Sequence, residues 1–186
     1  MSGQSFSFFA DHRPSLYVAT NRGSIFKSAA TGGGNTSFIS SIVTPYALAV
    51  GGPNGNFLYV TNNPQNSNGN FYISTYTADT GALINANFIQ IATAGLYGLA
   101  LSKDNTILYV SVYSGSPPGV YTYAADTGQP LNLTGQPIQG LFVPVNEPWG
   151  IAIEANTLYV ASHQDSAIYE FDATTGDPTG SITRPD

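Results

Sequence analysis

Apolar and polar residues alternate along this chain in short runs of period two, separated by clusters of Gly, Asn, Asp and Pro, and no helical run of useful length appears. Phe71-Tyr72-Ile73-Ser74-Thr75-Tyr76 is one such run, and the pattern predicts strands throughout. The runs themselves recur. Leu16-Tyr17-Val18, Leu58-Tyr59-Val60, Leu108-Tyr109-Val110 and Leu158-Tyr159-Val160 are spaced by 42, 50 and 50 residues, a period in the range of propeller blades and other arrays. Ahead of the last three copies stand Pro45-Tyr46-Ala47-Leu48-Ala49, Leu96-Tyr97-Gly98-Leu99-Ala100 and Pro148-Trp149-Gly150-Ile151-Ala152. Downstream come Tyr76-Thr77-Ala78-Asp79-Thr80-Gly81, Tyr123-Ala124-Ala125-Asp126-Thr127-Gly128 and Phe171-Asp172-Ala173-Thr174-Thr175-Gly176. The first unit keeps a degraded form, Phe26 to Gly32.

Each unit reads as four strands, a to d. Strand a, Tyr46 to Val50, is small and apolar on both faces, as a strand crowded by neighbouring units should be. Strand b, Phe57 to Thr61, carries Leu-Tyr-Val, whose β-branched and aromatic members suit a pleated surface. Strand c is 71–76, and the Gly after it supplies the positive φ of a tight turn into strand d. Gly52 to Asn56, Ser102 to Asn105 and Glu154 to Asn156 read as a–b hairpin loops. The register a-b-c-d holds from Ser5–Ala10 to Thr179–Thr183. A sheet of four short strands cannot hide both faces alone, so the copies must stack face to face. The expectation is an all-β β-propeller of four four-stranded antiparallel blades, about 4–43, 44–93, 94–145 and 146–186, in a single domain.

Composition narrows the function. Charged residues make up 9% of the chain, against roughly 25% in typical soluble domains. Eleven acidic against five basic side chains leave a net charge of −6, with no Lys/Arg cluster to neutralise phosphates, so nucleic-acid binding is not expected. The absence of cysteine removes disulfides and thiolate metal sites. No run approaches the roughly 18 apolar residues of a membrane span, and Met1 to Phe6 lacks the basic start and apolar core of a signal peptide. Scarce Lys with abundant Asn and Thr leans toward an extracellular or cell-surface setting.

The combination of Pro-aromatic-Gly/Ala-aliphatic-Ala, then Leu-Tyr-Val, then aromatic-x-x-Asp-Thr-Gly resembles the NHL and YVTN-type β-propeller repeats, a group that includes lactonase-like and gluconolactonase-like proteins. The resemblance covers nearly the whole chain, and its shared residues are those that shape the blade, so it implies a fold and not a single function. Such propellers usually close a larger ring, often with a strand from one terminus completing the blade begun by the other. Here the count stops at four. Three outcomes stay open: two copies joined through their open blade edges into an eight-bladed homodimer, part of a larger propeller, or a small four-bladed ring.

In propellers, ligands sit over the axis where strand d leads into strand a and strand b into strand c. The residues that fall there are Tyr46, Tyr97 and Trp149 before strand a, with Asn21, Asn62 and His163 after strand b. The three aromatics share one repeat position, where a ring either packs on a neighbouring blade or stacks on a sugar face or apolar ligand. Glu147 and His163 belong to one unit and would make an acid–base pair. Glu147 with Asn62 and Asn21 would also make a Ca²⁺ site of the kind the gluconolactonase-like resemblance implies, for polarising a lactone carbonyl. His12 lies in the first a–b connection, on the opposite face. The leading expectation is a non-enzymatic binding or scaffold propeller, without a cofactor, contacting a glycan, small ligand or protein. A Ca-dependent lactonase-like hydrolase is the alternative.

Overall fold

A computed structural model describes residues 6–10, 15–20, 23–29, 36–63, 71–92, 95–115, 117–135 and 139–183. Within them sixteen strands form four antiparallel four-stranded sheets, each a simple meander in sequence order. The chain divides into two compact units, Met1–Ala92 and Thr93–Asp186. The first holds blade 1, β1 (Phe6–Ala10), β2 (Ser15–Thr20), β3 (Ser24–Ala29) and β4 (Thr36–Ser40), and blade 2, β5 (Leu48–Gly51), β6 (Phe57–Asn62), β7 (Phe71–Thr77) and β8 (Leu83–Ile91). The second holds blade 3, β9 (Leu96–Leu101), β10 (Ile107–Val112), β11 (Gly119–Ala124) and β12 (Leu141–Pro144), and blade 4, β13 (Pro148–Glu154), β14 (Thr157–Ser162), β15 (Ala167–Asp172) and β16 (Pro178–Thr183). The all-β blade architecture expected from the repeats is therefore present.

The Leu-Tyr-Val strands explain why blades stack. Side chains alternate across a strand, so the Tyr projects from one face of its blade and the flanking Leu and Val from the other. In the first unit, Tyr17, Ala19, Ile25 and Ile39 of blade 1 share one core with Leu48, Val50, Leu58, Val60 and Ala78 of blade 2. In the second, Tyr109, Val120 and Phe142 of blade 3 share a core with Leu158, Val160 and Ala173 of blade 4. Each fully buried aliphatic here is worth roughly 1.5–3 kcal/mol. Tyr17, Leu58, Leu108 and Leu158 are fully buried.

A buried hydroxyl needs a partner, and the repeat supplies one. Tyr17 donates to the carbonyl of Ala78, 61 positions away in the strand c–d turn of the next blade, at 2.6 Å. Tyr109 does the same to the carbonyl of Ala173 at 2.5 Å. In the first unit, Lys27 reinforces the contact, its Nζ donating to the carbonyls of Ala78 and Asp79 while lying over the rings of Tyr17 and Phe38. The turn that offers the carbonyl depends on glycine twice over. Gly81 and Gly176 hold φ of +72° and +75°, and a Cβ on Gly81 would stand 2.9 Å from the carbonyl oxygen of Phe38 in the preceding blade.

Two details differ from the sequence reading. Strand a of blade 2 begins at Leu48 and not at Tyr46. In blade 1 the pairing sets Ser28 opposite Leu16, where blade 2 sets Tyr76 opposite Leu58. Phe26 therefore does not occupy the position of the turn aromatic, because the match of Phe26 to Gly32 with that motif ignored a two-residue register difference. Asp172 caps its turn by accepting from the amides of Thr174 and Thr175, but it stands one residue after its aromatic, whereas Asp79 and Asp126 stand three after theirs. His12 lies outside the described residues.

Burial pushes the Tyr109 hydroxyl from its ordinary 10.0 up to about 12. The folded state then holds a proton that the unfolded chain has released, so this contribution is complete below about pH 10 and is lost as pH rises toward 12. Tyr109→Phe is expected to cost about 1 kcal/mol at neutral pH and to shallow the fall in Tm between pH 10 and 12. Thermal melts of both proteins across that range check it. Part of the fall should survive in the variant, because burial also raises Tyr123.

Candidate functional site

In the second unit the ends of β10 and β14 meet the beginnings of β9 and β13. The amide of Tyr113, just past β10, donates to the carbonyl of Gly95 at 2.9 Å, and the amide of His163, just past β14, donates to that of Glu147 at 3.0 Å. These are equivalent bonds in successive blades. Each brings the residue leaving strand b beside the aromatic opening strand a. Both strand openings carry a bulge. Leu96 pairs with Val112 and Gly98 with Ser111, leaving Tyr97 as the extra residue, while Trp149 and Gly150 stand between the pairs Pro148–Ser162 and Ile151–Val160. A bulge re-aims a side chain out of the regular alternation. Here it turns both aromatics into one cluster.

The cluster has four rings. Tyr97 lies 5.1 Å from Tyr113 and 5.3 Å from Trp149, centroid to centroid, and Trp149 lies 5.0 Å from His163. Tyr113 is 6.2 Å from Trp149 and 6.3 Å from His163. Interplanar angles of 55° to 71° are the tilted, edge-to-face geometry that ring quadrupoles favour. Glycines make the room. A Cβ on Gly95 would meet the Tyr97 ring at 2.6 Å, and one on Gly98 would meet the Trp149 carbonyl oxygen at 2.7 Å. Ser111 Oγ uses that gap to donate to the same carbonyl at 2.6 Å. Trp149 is thus fixed from behind while 43% of it stays exposed.

Glu147 closes one side of the cluster. Its carboxylate lies 3.0 Å from His163 Nδ1, beside the Tyr113 hydroxyl. The hydrogen bond from His163, followed by that from Tyr113, holds its carboxyl below the ordinary carboxylate value, and the same pairing raises Tyr113. With Nδ1–H donating to the carboxylate, Nε2 of a neutral His163 is left as an acceptor. Glu147 has φ of +41°, unusual for a residue with a Cβ; Thr44, its equivalent in blade 2, has +42°. The positive-φ turn is therefore shared by blades 2 and 4, and what is particular to blade 4 is the carboxylate placed on it.

Of the residues singled out from the sequence, Tyr97, Trp149, His163 and Glu147 come together. Asn62 is 2% exposed and its amide donates within blade 2 to the Val60 carbonyl and Ser74 Oγ, so its nitrogen is engaged in holding the blade. Tyr46 is half-buried in the first unit, its amide donating to Thr61 Oγ1. Asn21 lies outside the described residues. Tyr113 stands in the loop 112–115, which the sequence places at this face as it does 162–165, but it was not among the candidate residues, although its position matches that of His163. Among the described residues no group of three or more His, Cys, Asp or Glu side chains converges as a metal site. A cavity of about 570 Å³ lies at the other end of these blades, lined by a–b loop and turn residues including Lys103, Asp104, Asn156 and Thr174.

No protein-family model matches the chain, and no curated protein matches it. Solved structures do resemble it. A gluconolactonase from Xanthomonas campestris aligns at a TM-score of 0.69 and 20% identity, over 92% of this chain and 59% of that one. A chain of the nidogen/laminin complex aligns at 0.57 and 14%, over 96% and 80%. The computationally designed Ika8 protein aligns at 0.58 and 16%, over 94% and 47%. At these identities the likeness is one of fold, and it supports the propeller blades. The chain spans about half the length of the designed protein and three fifths of the gluconolactonase.

Trp149 is the sole tryptophan of the protein, so its emission reads this cluster directly. Because the folded Glu147 carboxyl is held below its ordinary 4.5, its contacts should persist above that pH and be lost only as pH falls through the depressed value. A change in Trp149 emission is expected there, and Glu147→Gln should remove it. Gly98→Ala is expected to cost about 1–3 kcal/mol and to shift the emission at neutral pH, since the inserted methyl presses on the Trp149 backbone.

Proposed function

We propose that this protein is a non-enzymatic binding propeller that holds a glycan or a small hydroxyl-bearing ligand on the Trp149 cluster. The observation that carries this reading is Trp149, packed against Tyr97, Tyr113 and His163 yet 43% exposed. A large ring already immobilised loses little entropy when a ligand stacks on it. An apolar ring beside a few placed polar groups is the usual make-up of a ligand site. The C–H face of a sugar would lie on the indole, with the Glu147–His163 pair meeting its hydroxyls. The compositional lean toward an extracellular or cell-surface setting fits such a ligand.

A Ca²⁺-dependent hydrolase is the second reading, favoured by the motifs resembling lactonase-like repeats and by the fold likeness to a gluconolactonase. The donor set weighs against it. Glu147 is already paired with His163, and imidazole is a poor ligand for a hard cation that takes six to eight oxygens.

The binding reading predicts a glycan-array signal, and quenching or a shift of Trp149 emission on titration with the sugars it identifies. Tyr97→Ala should weaken that binding about tenfold or more, since a stacked aromatic anchor is worth ~1.4 kcal/mol or more, and Trp149→Ala should abolish the array signal. An array response unchanged in Trp149→Ala would overturn the assignment. A rise in Tm with Ca²⁺ that Glu147→Gln removes would favour the hydrolase instead.

A further inference from the structure

The polar rim of the Trp149 cluster is built from acceptors. Glu147 uses Oε2 of its carboxylate on His163 Nδ1, and a carboxylate, with about four lone-pair sites, has room for further donors. In a neutral His163 whose Nδ1–H points at that carboxylate, Nε2 is a second acceptor. Asp165 follows in the same b–c loop, near enough to oppose the ionisation of Glu147, and Ser162 Oγ and the Tyr169 hydroxyl both donate to its Oδ2. Among the described residues of the second unit the one Lys or Arg is Lys103, at the other end of the blades. The chain as a whole carries a net charge of −6.

Such a rim selects by charge. A ligand carboxylate, sulfate or phosphate would meet two carboxylates and no Lys or Arg, the like-charge juxtaposition by which binding surfaces reject partners. A sugar hydroxyl brings the rim one hydrogen. An ammonium brings three and the complementary charge, and it is attracted by the face of an indole, the best aromatic partner for a cation. The rings set the rest of the ligand. Tyr97 and His163 stand against Trp149 at 5.3 and 5.0 Å, so the indole is held in place and still keeps an exposed surface. A flat, rigid surface of this kind suits a saturated ring better than a flexible alkyl chain, which would lose more freedom on binding.

We propose that the glycan held on the Trp149 cluster is an amino sugar with its amine free and protonated, the sugar ring stacked on the indole and the ammonium donating to the Glu147 carboxylate. The inference rests on the ligand reading of this cluster and adds its charge class. N-acetylation of the sugar replaces three donors by one and removes both the ion pair and the cation–π contact. Calcium makes a different demand on the same carboxylate, since it takes six to eight oxygens, whereas an ammonium is satisfied by one carboxylate, Nε2 and water.

Titrations near neutral pH in low salt, followed by Trp149 emission and by calorimetry, should compare a glucosamine oligomer, its N-acetylated counterpart of equal length and an oligogalacturonate. The glucosamine oligomer is expected to bind about tenfold or more tightly than the N-acetylated one, and the galacturonate not to bind. The preference should shrink as salt is raised, because the cluster is exposed, and this measurement tests the charge pairing without any substitution. Glu147→Gln, which keeps the shape and removes the charge, should abolish the preference. Equal or tighter binding of the N-acetylated oligomer, a preference that survives Glu147→Gln or high salt, or a trilysine peptide bound as tightly as the glucosamine oligomer would each overturn the inference. If the amine oligomer fails to bind while other glycans do, only this inference falls; if no glycan binds, the ligand reading of Trp149 falls with it.

Discussion

The structure depends on how a narrow sheet with two apolar faces is hidden. Four short strands cannot bury both sides of their own sheet, so each blade must be covered by another, and the covering must be specific enough to fix one orientation. Apolar packing supplies most of the driving force and little of the direction. Direction comes from the tyrosine of strand b. Its ring fills the layer between blades, and its hydroxyl, taken out of water, is satisfied only if the next blade brings a turn carbonyl to within hydrogen-bond reach, as Ala78 does for Tyr17 and Ala173 for Tyr109. A rotated or slipped blade would leave that hydroxyl buried without a partner, at a cost of about 1–3 kcal/mol. The positive-φ glycine that lets the turn approach is part of the same device.

With the blades held this way, the strand ends are rigid enough to carry a site without help from charge. The chain is poor in charged residues, and the cluster around Trp149 is organised by rings, backbone hydrogen bonds and glycine gaps. The bulges at the openings of β9 and β13 lift Tyr97 and Trp149 out of the alternation, and Gly98 lets the Trp149 backbone sit directly on Ser111. Glu147 then works on two levels. Its carbonyl joins strand b to strand a as the equivalent residue does in the blade before, and its carboxylate, absent from that neighbour, orients His163 and Tyr113.

The sequence by itself determined the blades. Period-two alternation and the recurrence of Leu-Tyr-Val every 42 to 50 residues set the strands, their meander and which side of each faces a neighbour, because these are local consequences of side-chain alternation and turn chemistry. It also brought Tyr97, Trp149, His163 and Glu147 under suspicion, since residues at equivalent positions of a repeat must occupy equivalent places. It did not reveal Tyr113 as a member of the cluster, nor that Asn62 is enclosed in its blade, nor that Phe26 falls two residues out of register with the turn aromatics. Those depend on bulges and on the exact pairing between strands. Bulges move a side chain from one face to another without changing composition or period, so only the tertiary structure, in which the rings of successive blades meet, decided what the mouth of blades 3 and 4 is made of.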